Sequence, residues 1–222
     1  WKTVSVPHDY SIEQEYTQSG EAESGYLPGG TGWYRKHFTL TEDMKDKEVR
    51  IDFGGVYMNA TVWVNGTQLG THPYGYTPFS FDITEYVKAG EDNVITVKVD
   101  HQTPSSRWYS GSGIYRSVDL TVMDKVHVGL NGTKIATPNL AKEKDGEVNM
   151  DIVTTVANEG KDAKEVTLVH TLREKGKKDT VATVTTDKQS VAAGKTADIE
   201  AKLKVNQPKL WGLGEKNAHL YT

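Results

Sequence analysis

The sequence predicts an all-β protein made of two successive β-sandwiches. Three observations carry that prediction. Apolar and polar residues alternate with a period of two through almost every patterned stretch, as Val49, Ile51 and Phe53 do with Arg50 and Asp52. That period gives a strand one buried and one solvated face. No apolar stripe of helical period runs beyond two turns. The chain also changes character near residue 125. Of its 5 Trp, 11 Tyr and 4 Phe, only Trp211 and Tyr221 lie beyond that point, where Val, Thr, Leu and Ala strands alternate with Lys, Asp and Glu loops. The expected domains are 1–124 and 125–222.

In chain order, Gly29-Gly30-Thr31-Gly32 is a loop that feeds a strand from Trp33 to Leu40. No Lys-Ser/Thr and no helix follow it, so it is not a phosphate loop. Asp43 to Lys47 and Thr84 to Val87 each have room for one helical turn. Between them, Val49 to Phe53 alternates as a strand, and Thr61-Val62-Trp63-Val64 runs into Asn65-Gly66. Asn-Gly accepts the positive φ angles of a type I′ turn, so a hairpin returns through Gln68 and Leu69. Ile95, Val97 and Val99 form the next strand, and Val118, Leu120 and Val122 the last of the first domain. Its expected core is Val49, Ile51, Phe53, Val62, Val64, Ile95, Val97, Leu120 and Val122. In the second domain, strands are expected at 148–156, 166–172, 180–185 and 196–205, with turns at Asn158-Glu159-Gly160 and Ala193-Gly194. That spacing suits a small immunoglobulin-like sandwich.

Composition removes several function classes. A formal net charge of −4 and the lack of a clustered basic patch argue against nucleic-acid binding. With no cysteine, the chain has neither disulfides nor thiol chemistry nor Cys-zinc sites. The histidines are scattered, with no pair at metal-ligand spacing, so no metal or other cofactor is expected. No apolar run is long enough to cross a membrane as a helix, and Trp1-Lys2-Thr3-Val4 has none of the features of a signal peptide. Both ends read as cut from something longer. Ser110-Gly111-Ser112-Gly113 lacks the helix that a nucleophile elbow needs. The acidic pairs flank turns or lie in the polar loop from Glu13 to Glu23, and none reads as a catalytic dyad. His8 stands beside Asp9, which is placed to orient it; the same Pro7-His8-Asp9-Tyr10 also makes a structural turn, the preferred reading. Asn65 and Asn131 fall in glycosylation-type triplets, but the turn explains Asn65 better. What remains is aromatic and polar, and densest in Arg107-Trp108-Tyr109-Ser110-Gly111-Ser112-Gly113-Ile114-Tyr115-Arg116. Aromatic faces beside a planar cation suit a sugar ring, and equally a domain corner.

Five motifs in order complete the reading: Val6-Pro7-His8-Asp9-Tyr10-Ser11-Ile12, Gly30-Thr31-Gly32-Trp33-Tyr34-Arg35, Val62-Trp63-Val64-Asn65-Gly66, Gly75-Tyr76-Thr77-Pro78-Phe79 with Phe81-Asp82-Ile83-Thr84, and the 107–116 segment. Together they resemble the amino-terminal sugar-binding domain of family 2 glycoside hydrolases, the β-galactosidase, β-glucuronidase and β-mannosidase group. Residues after 125, closing on Pro208-Lys209-Leu210-Trp211 and Leu220-Tyr221, resemble the immunoglobulin-like domain that follows in that family. The forms of the first and last motifs are most similar to bacterial β-galactosidases, particularly large streptococcal surface ones. The resemblance implies a jelly-roll sandwich followed by the immunoglobulin-like one. It also implies that the two catalytic glutamates sit on a TIM barrel, which takes about 250 residues and has no room in this sequence. The chain is then the noncatalytic amino-terminal part of a retaining β-galactosidase, inactive alone and serving as scaffold and partial sugar subsite. Its partners would be the parent's TIM barrel and a β-galactoside, and its location extracellular or on a bacterial cell wall. Loops 21–30 and 105–109 match those that reach the sugar, which makes Tyr26, Arg107, Trp108 and Tyr109 the substrate- or barrel-facing candidates. Ser105-Ser106-Arg107 stands where some members carry a sugar- or sodium-binding acid. A free-standing carbohydrate-binding or adhesion module and a structural spacer are the alternatives.

Overall fold

The structure is a computed structural model that describes residues 1–214 and 217–222. Two compact units divide the chain, Trp1–Asp124 and Lys125–Thr222.

The first unit has seven strands: β1 (Gly30–Thr39), β2 (Glu48–Phe53), β3 (Ala60–Val64), β4 (Thr67–His72), β5 (Phe79–Asp82), β6 (Asp92–His101) and β7 (Val118–Met123). They form two antiparallel sheets ordered β1-β6-β3-β4 and β5-β2-β7. The alternation decides which face meets the core. Val49, Ile51 and Phe53 from one sheet and Val62, Val64, Val97 and Val99 from the other are buried, each no more than 2% exposed. The hairpin forms as expected, with Val64 paired to Thr67 around Asn65 (φ 49°) and Gly66 (φ 85°). The helical turns are short 3-10 segments, Glu42–Met44 and Thr84–Tyr86. One expected core residue departs from the pattern: Leu120 is 40% exposed although it points the same way as Ile51. Among the described residues its strand, β7, lies at an edge of the smaller sheet, where the side chain is covered only in part.

The second unit adds β8 (Val126–Ala136), β9 (Glu147–Asn158), β10 (Lys164–Val166), β11 (Val169–Arg173), β12 (Thr180–Thr185), β13 (Gln189–Val191) and β14 (Lys195–Asn206). The order β14-β9-β8 makes one sheet, and the pairs β10-β13 and β11-β12 make two small ones. Ile152, Ala201 and Leu203 form one buried cluster, and Val156, Val191 and Ile199 another. The single strand expected over 166–172 is split between β10 and β11, which pair with different partners. The architecture is all-β, a jelly-roll-like sandwich followed by an immunoglobulin-like one.

Candidate functional site

Four segments meet at the end of the first sandwich where β1 starts and β6 finishes. Backbone bonds draw the first motif onto the last: His8 N donates to Ile114 O (2.7 Å), and Tyr10 N to Ser112 O (2.8 Å). Tyr57 and Gly113 exchange two more, both 2.9 Å. Asp9 locks the arrangement. Its Oδ1 accepts from Ser11 N and Ser112 N (both 2.9 Å), and its Oδ2 accepts from the Tyr109 hydroxyl. Burial and the Asp9 carboxylate push the Tyr109 phenol well above its ordinary value, so it stays a donor. Asp9 therefore fixes the 109–112 turn and does not orient His8. The His8 Nδ1 pairs instead with the Tyr34 hydroxyl (2.7 Å). Its Nε2 lies 3.3 Å from Glu13 Oε2 without the alignment of a hydrogen bond.

Two glycines let the turn pass this close. A Cβ on Gly111 (φ 73°) would sit 2.6 Å from Asp9 Oδ2. One on Gly113 (φ 127°) would collide with the Tyr34 hydroxyl and come within 2.8 Å of the His8 carbonyl.

Beneath the turn runs a buried chain of side chains. The Ser11 and Ser112 hydroxyls are 2.5 Å apart, Ser112 Oγ is 2.5 Å from His101 Nδ1, and His101 Nε2 is 2.8 Å from Ser105 Oγ. The Tyr57 hydroxyl donates to Ser105 Oγ (3.1 Å). Burial lowers the His101 pKa, with Glu21 and Asp9 pulling weakly the other way. This is a support and not a nucleophile: Ser112 is fully buried, and the second nitrogen of His101 meets a hydroxyl, not a carboxylate.

Above that support, aromatic side chains reach into solvent. Trp108 is 78% exposed, and among the described residues no ion pair holds the exposed Arg107. Tyr26 is exposed from a tight turn in which it and Gly25 both adopt left-handed backbone (φ 62° and 66°). Its carbonyl accepts from Thr17 N (3.0 Å), and Tyr16, Thr17, Gln18 and Tyr26 line a small cleft. On the other flank, exposed Tyr74 and Tyr76 stack edge to face (5.6 Å), and Tyr76 does the same with buried Tyr57 (5.3 Å). Among the described residues, no group of three or more His, Asp or Glu is placed to hold a metal ion.

Residues 2–124 match the sugar-binding domain of glycosyl hydrolases family 2, and residues 133–222 match a second domain of glycosyl hydrolases family 2. The chain belongs to this family. Among its family 2 relatives, Beta-galactosidase BoGH2A of Bacteroides ovatus is 40% identical over 225 residues, which cover 100% of this chain and 26% of the relative. A beta-glucuronidase of Formosa agariphila is 31% identical, over 95% of this chain and 23% of its own length. A crystal structure of a family 2 member from Bacteroides cellulosilyticus superposes with a TM-score of 0.89 at 35% identity, over all of this chain and 29% of that one. The chain thus spans about a quarter of the length of these relatives. All four site residues singled out from the sequence lie in the sugar-binding domain. The structure anchors Tyr109, leaves Arg107, Trp108 and Tyr26 at the surface, and adds Asp9, Tyr57, His101, Ser105 and Ser112 as the support. Sequence reasoning singled out neither Tyr57 nor His101, because an isolated Tyr or His carries no spacing signal, and it met Ser105 and Ser112 only as members of the 105–107 and 110–113 stretches.

Proposed function

We propose that this chain is the noncatalytic amino-terminal part of a retaining glycoside hydrolase acting on terminal β-galactosides. In this reading the 107–109 segment and Tyr26 face the catalytic barrel or the sugar in the assembled enzyme. The observation that carries it is the exposure of Trp108 on a turn held from below by Asp9 and the Ser112–His101–Ser105 chain. A large indole left in water on a fixed backbone is a preorganised contact awaiting a partner. The β-galactosidase relative is more similar to the chain than the β-glucuronidase quoted beside it, which supports the choice of sugar. In the full-length enzyme, Trp108→Ala should raise KM for a β-galactoside about tenfold, the loss of roughly 1.4 kcal/mol of contact, while the melting temperature stays put. Equal loss in activity and stability would assign the indole to packing instead.

A second reading, a carbohydrate-binding module that acts on its own, is supported by the number of aromatics exposed at this end: Tyr16, Tyr26, Tyr74, Tyr76 and Trp108.

A further inference from the structure

The dipeptide Asn-Gly occurs twice, at Asn65-Gly66 and Asn131-Gly132, each time followed by threonine. Glycine has no Cβ, so its main-chain nitrogen can approach the side-chain carbon of the asparagine before it. Local sequence makes the two dipeptides nearly equal in this respect, and the fold makes them unequal. The whole side-chain amide of Asn65 is held: Nδ2 donates to Tyr86 O (2.7 Å) and Asn93 Oδ1 (2.9 Å), and Oδ1 accepts from Val94 N (2.8 Å). The Asn131 side chain is exposed, and among the described residues no hydrogen bond holds it. Asn131 also stands where the ladder lets go. Pairing of β8 with β9 passes from Val128–Val156 to Thr133–Thr154, so Gly129 to Gly132 lie opposite Thr155 alone and outside the register. Among the described residues β8 is the outer strand of its sheet, so this looped-out segment has no strand on its other side.

We propose that Asn131 is a site of spontaneous covalent modification, in which the Gly132 main-chain nitrogen attacks the Asn131 side chain and expels ammonia. The Gly132 nitrogen gives its proton to solvent base and bonds to Asn131 Cγ. The Cγ–Nδ2 bond breaks, Nδ2 takes a proton from solvent and leaves as ammonia, and a cyclic succinimide remains. One water then opens the ring. Opening at Cγ gives aspartate at this position. Opening at the main-chain carbonyl carbon gives isoaspartate, in which the chain runs through the side chain. The sum converts an amide and water into an acid and ammonia, with no oxidation or reduction. Asn65 is barred from the same reaction, because ring closure there must first break the three bonds that hold its amide. The isoaspartate product also disturbs the fold. It lengthens the main chain beside Gly132, where even a Cβ would come within 2.7 Å of Gly129 O and 2.9 Å of Thr155 O. The pairing with β9 that resumes at Thr133 is the part that loosens. The inference is independent of the sugar reading.

The test is peptide mapping by mass spectrometry after the full-length protein has stood in mildly alkaline buffer, once folded and once in denaturant. In denaturant the two dipeptides should convert at similar rates, which sets the reference for the bare sequence. In the folded protein the Asn131 peptide should convert at least ~10-fold faster than the Asn65 peptide, whose side chain must first be released. The Asn131 product should separate into aspartate and isoaspartate forms, and Asn131→Gln, whose ring closes far less readily, should suppress the conversion. In the purified isoaspartate form, the amides of residues 133–136 should exchange faster than in the parent. Equal rates at the two sites in the folded protein would overturn the proposal, as would an Asn131 that stays intact while the denatured chain reacts. Formation of aspartate alone would overturn the succinimide route, and unchanged exchange at 133–136 the loosening of the register.

Discussion

Asp9 shows how much one side chain can organise. Its carboxylate ties together Ser11, Tyr109 and Ser112. Asp9→Ala would strand the Ser112 amide beneath the turn, at a cost of about 2–3 kcal/mol, since hydrogen bonds to a charged group are among the stronger ones. A fall in the denaturant midpoint with an unchanged m-value would report it. His101 makes a pH prediction. Burial lowers its folded-state pKa, whereas the unfolded chain protonates it near the ordinary 6.5. Between those values the unfolded state binds more protons, so stability is complete above about pH 6.5 and declines as the pH falls through that window. Thermal melts from pH 7.5 to 5 should show this slope, and His101→Gln, which keeps a polar group in the pocket, should flatten it. Neither role was legible in the sequence. Asp9 was read as a neighbour of His8 or a turn former, and its partners Tyr109 and Ser112 lie 100 and 103 positions away. A contact that only folding creates leaves no trace in local spacing.

Elements were more legible, because period and turn chemistry act over a few residues. The β3–β4 hairpin follows from Asn65-Gly66, but the structure adds a second task for Asn65. Its side chain donates to Tyr86 O (2.7 Å) and Asn93 Oδ1 (2.9 Å) and accepts from Val94 N (2.8 Å). Asn65→Gly keeps the turn geometry and loses these bonds, so it should still destabilise by about 1–2 kcal/mol. A melting temperature equal to the parent's would show that only the turn matters there. Asn131-Gly132 carries the same dipeptide in a different setting. Asn131 (φ 53°) lies inside β8, where pairing with β9 breaks off at Val128 and resumes at Thr133. The strands expected from the sequence in the second domain began at 148, so β8 is an addition of the structure. Leu120 failed in the opposite way: its phase was read correctly and its burial was not, because burial depends on what lies beside β7.

At the scale of the whole molecule, two units with separate cores fill the chain. At the candidate site the carboxylate of Asp9 is occupied as a hydrogen-bond acceptor within the support. The 222-residue chain should therefore show no turnover of a chromogenic β-galactoside, and any burst or steady hydrolysis by the pure chain would contradict this. Calorimetric titration of the same sample with galactose, lactose and N-acetyllactosamine separates the two functional readings: silence fits the subsite of a larger enzyme, and measurable heat the self-sufficient module. The support beneath Trp108 has a kinetic consequence as well. It joins residues 9 and 11 to residue 112, and residue 57 to residue 105. Closing loops of that length costs entropy that no local contact repays. The platform under the indole is complete only when both ends of the first unit have come together.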